Sequence, residues 1–338
     1  MRPIRPAPVR PTMNDVARVA GVSLKTVSRV VNGEKSVRGR TAERVRAAVD
    51  QLGFRRNDVA SSLRRNGTSA SIGLIIEDLA NPFYSQVARA VEEAATERGC
   101  LLIVGSSEES SGREHQLIST MLGRRVDGLI VVPAAADHSF LVQELNAGTP
   151  IVFLDRPPTG IEADSVLLDN VGGARTAVCH LLAQDHRRIA LVGDIETIWT
   201  ASERLRGYHE ALAQAGIAFD PALVRLNSHD IGRAQAVTGD LLALSSPPTA
   251  IFAANNRNCV GVLRALGSRR SDVAVVGFDD FELADMMGVS VISYDPAELG
   301  RLAARRLFAR IDGEDSPPRR LIIEVSLVER GSGEVPSR

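Results

Sequence analysis

The chain has 338 residues, 44% of them apolar, which is enough for two or three domains with sizeable cores. Its net charge of −1 conceals an asymmetry: residues 1–66 carry 15 Lys and Arg against 5 Asp and Glu, and the remainder carries 25 against 36. A basic head on an acidic body excludes a uniformly sticky surface and points to a head that meets a polyanion such as nucleic acid.

Met1–Pro11 is rich in Pro and Arg, lacks the apolar run of a signal peptide, and reads as a disordered basic arm over residues 1–11. Thr12–Gly33 reads as two short helices joined by a tight turn. Thr12 is placed to cap the first, Gly21 to end it at positive φ, and Ser23 to cap the second. Val16, Ala17, Val19 and Ala20 fall at helical spacing on one face, and Val27, Val30 and Val31 face back toward them. The opposite face of the second helix carries Leu24, Lys25, Thr26, Ser28 and Arg29, which suits either a helix-turn-helix entering a DNA major groove or an ordinary αα-hairpin with a solvated basic face. A third helix is expected over Arg40–Leu52, closed by Gly53, with Val45, Val49 and Leu52 on one side. The helix-turn-helix domain is thus 12–56, followed by a short helix and flexible linker over 57–70.

From Ser71 onward the pattern changes to βα alternation. Apolar runs such as Ile72–Ile76, Leu101–Val104, Gly128–Val132, Pro150–Leu154, Ser165–Leu168, Ile189–Val192, Ala250–Ala253 and Val273–Val276 suit strands buried on both faces of a parallel sheet. The expected fold is an all-α head plus a body, 71–330, of two doubly wound α/β lobes dividing near Pro157-Pro158. Lobe one takes about 71–158 and 290–318, and lobe two about 159–289 and 319–330. Ligands of such sheets sit at the carboxyl ends of strands, so two facing lobes make a closing cleft.

Residues 12–330 resemble the lac repressor (LacI/GalR) family of bacterial transcription regulators. The resemblance rests on Asp15-Val16-Ala17, Ala20-Gly21-Val22-Ser23 and Thr26–Asn32 in the head. In the body it rests on Asn81–Tyr84, Arg124–Ile130, Asp155-Arg156, Asp169-Asn170, Arg204–Tyr208, Pro248–Asn256 and Val276–Asp280. It implies a periplasmic-binding-protein-like body, a homodimer on a pseudo-palindromic operator, and a small effector in the cleft, most commonly a sugar. It implies base-edge contacts for Leu24, Lys25 and Arg29, where an Arg or Lys on guanine O6 and N7 contributes ~1–3 kcal/mol of discrimination. Phosphate contacts fall to Thr12, Ser23, Thr26, Ser28 and Asn32, capping and phosphate contact being compatible for Thr12 and Ser23. Leu63, in Val59–Arg64, matches the hinge-helix leucine that wedges into the minor groove, whereas a Leu in a short helix is otherwise a core residue. The chain departs from the family at Phe54 and Arg56, where tyrosine and proline are common.

For the effector the resemblance implies Phe83, Tyr84, Arg204, Asn255 and Asp279. Asp155 is a further candidate, with a structural salt bridge to Arg156 as its alternative role. Trp199, the single tryptophan, suits either stacking on a sugar or anchoring a loop, and Ile231, beside Asp230, falls near another cleft position. Asn256 stands where the family more often has Asp.

Enzyme readings lack a constellation. There is no G-x-S-x-G, no phosphate-binding G-x-x-x-x-G-K-[ST] and no H-E-x-x-H, and the only lysines are Lys25 and Lys35. His180 and His186 do not share a helix face, and Cys100, Cys179 and Cys259 form no disulfide framework or CxxC site, so neither metal nor cofactor is expected and the compartment expected is a bacterial cytoplasm, at the nucleoid. No apolar run is long enough for a membrane span, and no heptad run follows Gly331. The function expected is a ligand-switched repressor; the runner-up is a solute-binding module without DNA control.

Overall fold

The computed structural model describes residues 11–31, 34, 36–37, 39–54 and 70–337. The chain divides into two units between Ser69 and Ala70. Asn32 and Leu63, both expected at DNA, lie outside the described residues.

The first unit contains α1 (Met13–Ala20), α2 (Leu24–Val31) and α3 (Arg40–Leu52). A capping box starts α1: the Asp15 N–H donates to Thr12 Oγ1 at 3.3 Å, and the Thr12 N–H donates to the Asp15 carboxylate at 2.9 Å. The Thr12 hydroxyl and backbone N–H, with Arg18 beside them, hold the Asp15 carboxyl down to about 2. Gly21 ends α1 at φ 61°, and a Cβ there would lie 2.8 Å from the Arg44 guanidinium, which donates to the Ala20 and Gly21 carbonyls. In α2 the Thr26 N–H donates to Ser23 Oγ at 3.2 Å. Val16, Ala20, Val27, Val45, Ala48 and Phe54 form the buried core. Val19 is not part of it and is 43% exposed. Val16 and Ala20, four apart, define the narrow seam that an eight-residue helix offers its neighbours, and Val19 falls past its edge.

The second unit runs in chain order through β1 (Ser71–Ile76), α4 (Pro82–Glu97), β2 (Leu101–Ser106), α5 (Ser111–Gly123), β3 (Leu129–Val131), α6 (Val142–Asn146), β4 (Ile151–Leu154) and β5 (Asp164–Leu168). It continues with α7 (Asn170–Ala183), β6 (Ile189–Val192), α8 (Trp199–Gln214), β7 (Val224–Arg225), α9 (Ile231–Leu242), β8 (Ala250–Ala253), α10 (Asn256–Leu266), β9 (Ala274–Phe278) and β10 (Ser290–Ser293). It closes with α11 (Pro296–Ile311), β11 (Arg320–Ile323) and β12 (Ser326–Val328). One sheet has the order β11-β5-β4-β3-β1-β2, all parallel; the other has the order β12-β10-β9-β8-β6-β7, parallel except for β12 against β10. β1, β3, β4, β5, β6, β8 and β9 are buried throughout, as helices on both sheet faces require.

Two doubly wound lobes are therefore present, but their boundaries differ from those expected. β5 pairs with β4 and belongs to lobe one, so Pro157-Pro158 is a loop within that lobe. β10 pairs with β9 in lobe two, and β11 returns to pair with β5 in lobe one. The chain crosses between lobes after Leu168, after Ser293 and after Ile323. The sequence hides these crossings because the β4–β5 connection omits the usual helix, and because strands on either side of each crossing are equally apolar.

Candidate functional site

The body's chemistry gathers at the carboxyl ends of its strands, the position that open α/β sheets reserve for ligands. Glu77 follows β1, Asp155 follows β4, Asp194 lies just beyond β6, Asn255 beyond β8 and Asp279 directly after β9. With Asn81, Phe83, Tyr84, Arg156, Thr200, Arg204, Asn256, Arg257 and Tyr294 they line a cleft.

On the lobe-two wall Arg204 is the organising side chain. It is 6% exposed. Its Nε donates to Asn170 Oδ1 at 2.8 Å, one terminal nitrogen donates to the Ala254 carbonyl at 2.5 Å, and the other lies 3.5 Å from Asp279 Oδ1. Its guanidinium carbon sits 3.7 Å from the Phe278 ring centroid. Gly207, one turn further along α8, makes this possible: a Cβ there would meet the Val171 carbonyl at 2.4 Å, so only glycine lets α8 seat against the start of α7, where Asn170 lies. Asp279 adopts φ 70°, uncommon for a residue with a side chain, and accepts from the Tyr294 hydroxyl at 2.7 Å. Asn255 caps α10 by accepting from the Asn258 N–H at 2.7 Å, while its amide donates to Asp194 at 2.9 Å.

The lobe-one wall mirrors this in part. Asp155 also has positive φ, 66°, and accepts from the Tyr84 hydroxyl at 3.3 Å. Burial pushes its carboxyl above the ordinary range, with Arg156 and Arg204 opposing. Arg156 donates to both Glu109 carboxylate oxygens, at 2.6 and 2.8 Å, and to the Pro133 carbonyl at 2.8 Å. Its Nε also lies 3.6 Å from Asp155, so the salt bridge weighed for this pair exists alongside Asp155's place in the cleft. Phe83 meets Tyr84 edge-on with ring centres 4.7 Å apart, and Tyr294 at 6.0 Å. Across the mouth, Asn256 Nδ2 donates to Asn81 Oδ1 at 2.9 Å, and Arg257 reaches Glu77 and Asp78.

The structure thus brings together Phe83, Tyr84, Asp155, Arg204, Asn255 and Asp279. Trp199 and Ile231 are not among the lining residues. Thr200 and Arg204, four apart, share the cleft face of α8, and Trp199 is rotated about 100° from Thr200 onto a neighbouring face. Ile231 opens α9 behind its cap Asp230. Glu77, Asp194, Thr200, Arg257 and Tyr294 were missed, although the first polar residues after each apolar run would have supplied Glu77 and Asp194. In the head, Leu24 is 47% exposed, Lys25 is exposed, and Thr26, Ser28 and Arg29 are half-buried. Arg29 Nε lies 3.7 Å from Glu34. Thr12 and Ser23 are exposed and serve as caps. Among the described residues no helix is long and apolar enough to cross a membrane.

Comparison with known proteins agrees with both units. Residues 12–57 match the family described as "Bacterial regulatory proteins, lacI family", and residues 178–333 the "Periplasmic binding protein-like domain". The HTH-type transcriptional regulator CelR of Thermobifida fusca is 36% identical, over 96% of this chain and 98% of that one. A solved complex of the transcriptional regulator CelR with cellobiose is 33% identical, with a TM-score of 0.70 over 96% of this chain and all of the other. The lac repressor dimer bound to operator and an anti-inducer is 29% identical, with a TM-score of 0.82 over 96% of this chain and 99% of that one. A helix-turn-helix head joined to a body with a cleft, matched along nearly its whole length, places the protein among regulators rather than enzymes: it belongs to the LacI family of ligand-responsive, DNA-binding transcription regulators.

Proposed function

We propose that the protein is a repressor that binds a pseudo-palindromic operator as a homodimer and is switched by a small polyhydroxylated metabolite, a sugar, in the interlobe cleft. The observation that carries the ligand class is the state of the three arginines lining the cleft. Arg156 is committed to Glu109 and Pro133, Arg204 to Asn170, Ala254 and Asp279, and Arg257 to Glu77 and Asp78. Each guanidinium thus already serves a protein partner; Asp155, Asp194, Asp279 and Glu77 are partnered too, but a carboxylate keeps further lone pairs, and four carboxylates against three guanidiniums leave the wall richer in acceptors. That pattern suits hydroxyl groups, which donate to carboxylates, better than a phosphate. Phe83 and Tyr294 supply aromatic edges for the apolar side of a sugar ring. The CelR complex with cellobiose supports the same class.

Dimerisation is supported by apolar side chains left in solvent: Leu283, Met286 and Met287 on one short segment, at 53%, 83% and 37% exposure, and Leu101 at 65% on the edge strand β2. In each protomer Leu24, Lys25 and Arg29 read bases, Thr12, Ser23, Thr26, Ser28 and Asn32 hold phosphates, and Leu63 wedges into the minor groove between half-sites. The test is a thermal-shift screen of the full chain against neutral sugars and their phosphates, followed by operator binding with each hit. A neutral sugar raising the unfolding temperature and altering operator affinity is expected; stabilisation by phosphorylated ligands alone would overturn the assignment. Leu63→Ala should lose operator affinity without loss of fold.

A further inference from the structure

The three chain crossings after Leu168, Ser293 and Ile323 make closure of the lobes a hinge motion. Side chains that touch across the mouth therefore bias the open–closed balance before any ligand arrives. Asn81 and Asn256 form a neutral contact there, and charged contacts accompany it. One Arg257 nitrogen lies 3.4 Å from Glu77 Oε1, and another donates to Asp78. His229 Nε2 lies 3.4 Å from the same Glu77 oxygen, while its Nδ1 is 2.8 Å from Asp194 Oδ1. A single imidazole thus bridges one carboxylate from each lobe. Opening strips Glu77 of both lobe-two partners and leaves it Arg156, 3.9 Å away and already shared with Glu109.

We propose that Glu77 of lobe one, with His229 and Arg257 of lobe two, forms a proton-coupled latch that sets how readily the cleft closes in the absence of effector. Burial, with Glu109 adding to it, pushes the Glu77 carboxyl up to about 7, against the pull of Arg156, His229 and Arg257. His229 is raised because Asp194 accepts its hydrogen bond, with Glu77 and Glu109 contributing. Asp78 is held low by the Ala80 N–H and Arg257, and so titrates below this window. Glu77 and His229 therefore both hold their protons more tightly in the closed cleft than in an open, hydrated one. Closing takes up a proton. Its advantage is complete below the ordinary carboxylate range and is lost as pH rises through about 7. One proton taken up changes the closed-to-open ratio by up to about tenfold per pH unit between roughly pH 5 and pH 7. That this ratio then scales effector affinity rests on the cleft being the effector site.

The test is single-molecule energy transfer between dyes at Gln143 in lobe one and Gln235 in lobe two, in the full chain with Cys100, Cys179 and Cys259 replaced by Ala, without effector or DNA. The unmutated latch should lose closed population as pH is raised from 5 to 7. Glu77→Gln, a mimic of the protonated acid, should stay closed and lose most of that pH dependence. Arg257→Gln should open further than the parent at every pH, because Asp78 loses its partner too, and the gap should be widest, about tenfold, at pH 7, where Glu77 also needs a cation. Unfolding midpoints close to the parent's establish that each variant is folded. Equal closure in all three proteins at every pH would overturn the latch and leave the effector reading intact; a failed sugar screen would overturn that reading and leave these distances unaffected.

Discussion

The head and the body bring functional residues to their places in opposite ways. In the head the groups proposed to read bases in the major groove, Leu24, Lys25 and Arg29, stand on an eight-residue helix with Leu24 and Lys25 exposed, and a few buried valines and alanines hold that helix. In the body the groups proposed to meet the effector come from strand ends as far apart as Glu77 and Asp279, and most are buried and already bonded to one another. Function and stability are therefore separable in the head and merged in the body. A head residue can be removed with little cost to the fold, whereas a cleft residue leaves buried partners behind.

The largest expected effect is at Arg204. Replacing it by Ala takes this donor from Asn170 and the Ala254 carbonyl and removes the cation beside buried Asp279, at a cost of about 3–5 kcal/mol in denaturant unfolding, and abolishes effector binding. An unfolding midpoint equal to the parent's would show that the cleft network is dispensable and would remove the contrast. Val27→Ala follows. Val27 is fully buried in the small head core, so about 2 kcal/mol is expected, confined to the head, with protease resistance of the body unchanged.

Lys25→Ala should act on recognition alone. A loss of ~1–3 kcal/mol in discrimination between specific and random DNA is expected, with no change in unfolding midpoint. A destabilised head would mean that its reading face and its core are not separate. The smallest effect expected is from Thr12→Ala, which removes the capping hydroxyl of α1 and costs about 1 kcal/mol, read as fraying of that helix by hydrogen exchange.

The same contrast governs what could be read from the sequence. The caps at Thr12 and Ser23, the turn at Gly21 and the core positions Val16, Val27 and Val45 are legible because they depend on neighbours a few residues away. Val19 was misplaced because a short helix buries a narrower stripe than its apolar residues suggest. In the body the strands were legible as apolar runs, but the partners of β5, β10 and β11 were not, since strand pairing is decided by distant registers. The family motifs located Arg204, Asn255 and Asp279 in the cleft. They did not reveal Arg257 or His229, whose roles depend on carboxylates roughly 150 to 180 residues away. Trp199 shows the converse: a conspicuous residue type lies one position from the cleft face, and the modest Thr200 occupies it.

Coupling between cleft and head is tested most directly by titrating the full chain against the DNA upstream of its own gene, at fixed salt, with and without the sugar that stabilises it in the thermal screen. A ligand-responsive regulator of this family should bind that DNA specifically, and with salt dependence, and its affinity should change at least about tenfold with the sugar present. Binding no tighter than to random DNA, or an affinity that the sugar leaves unchanged, would contradict the proposed switch.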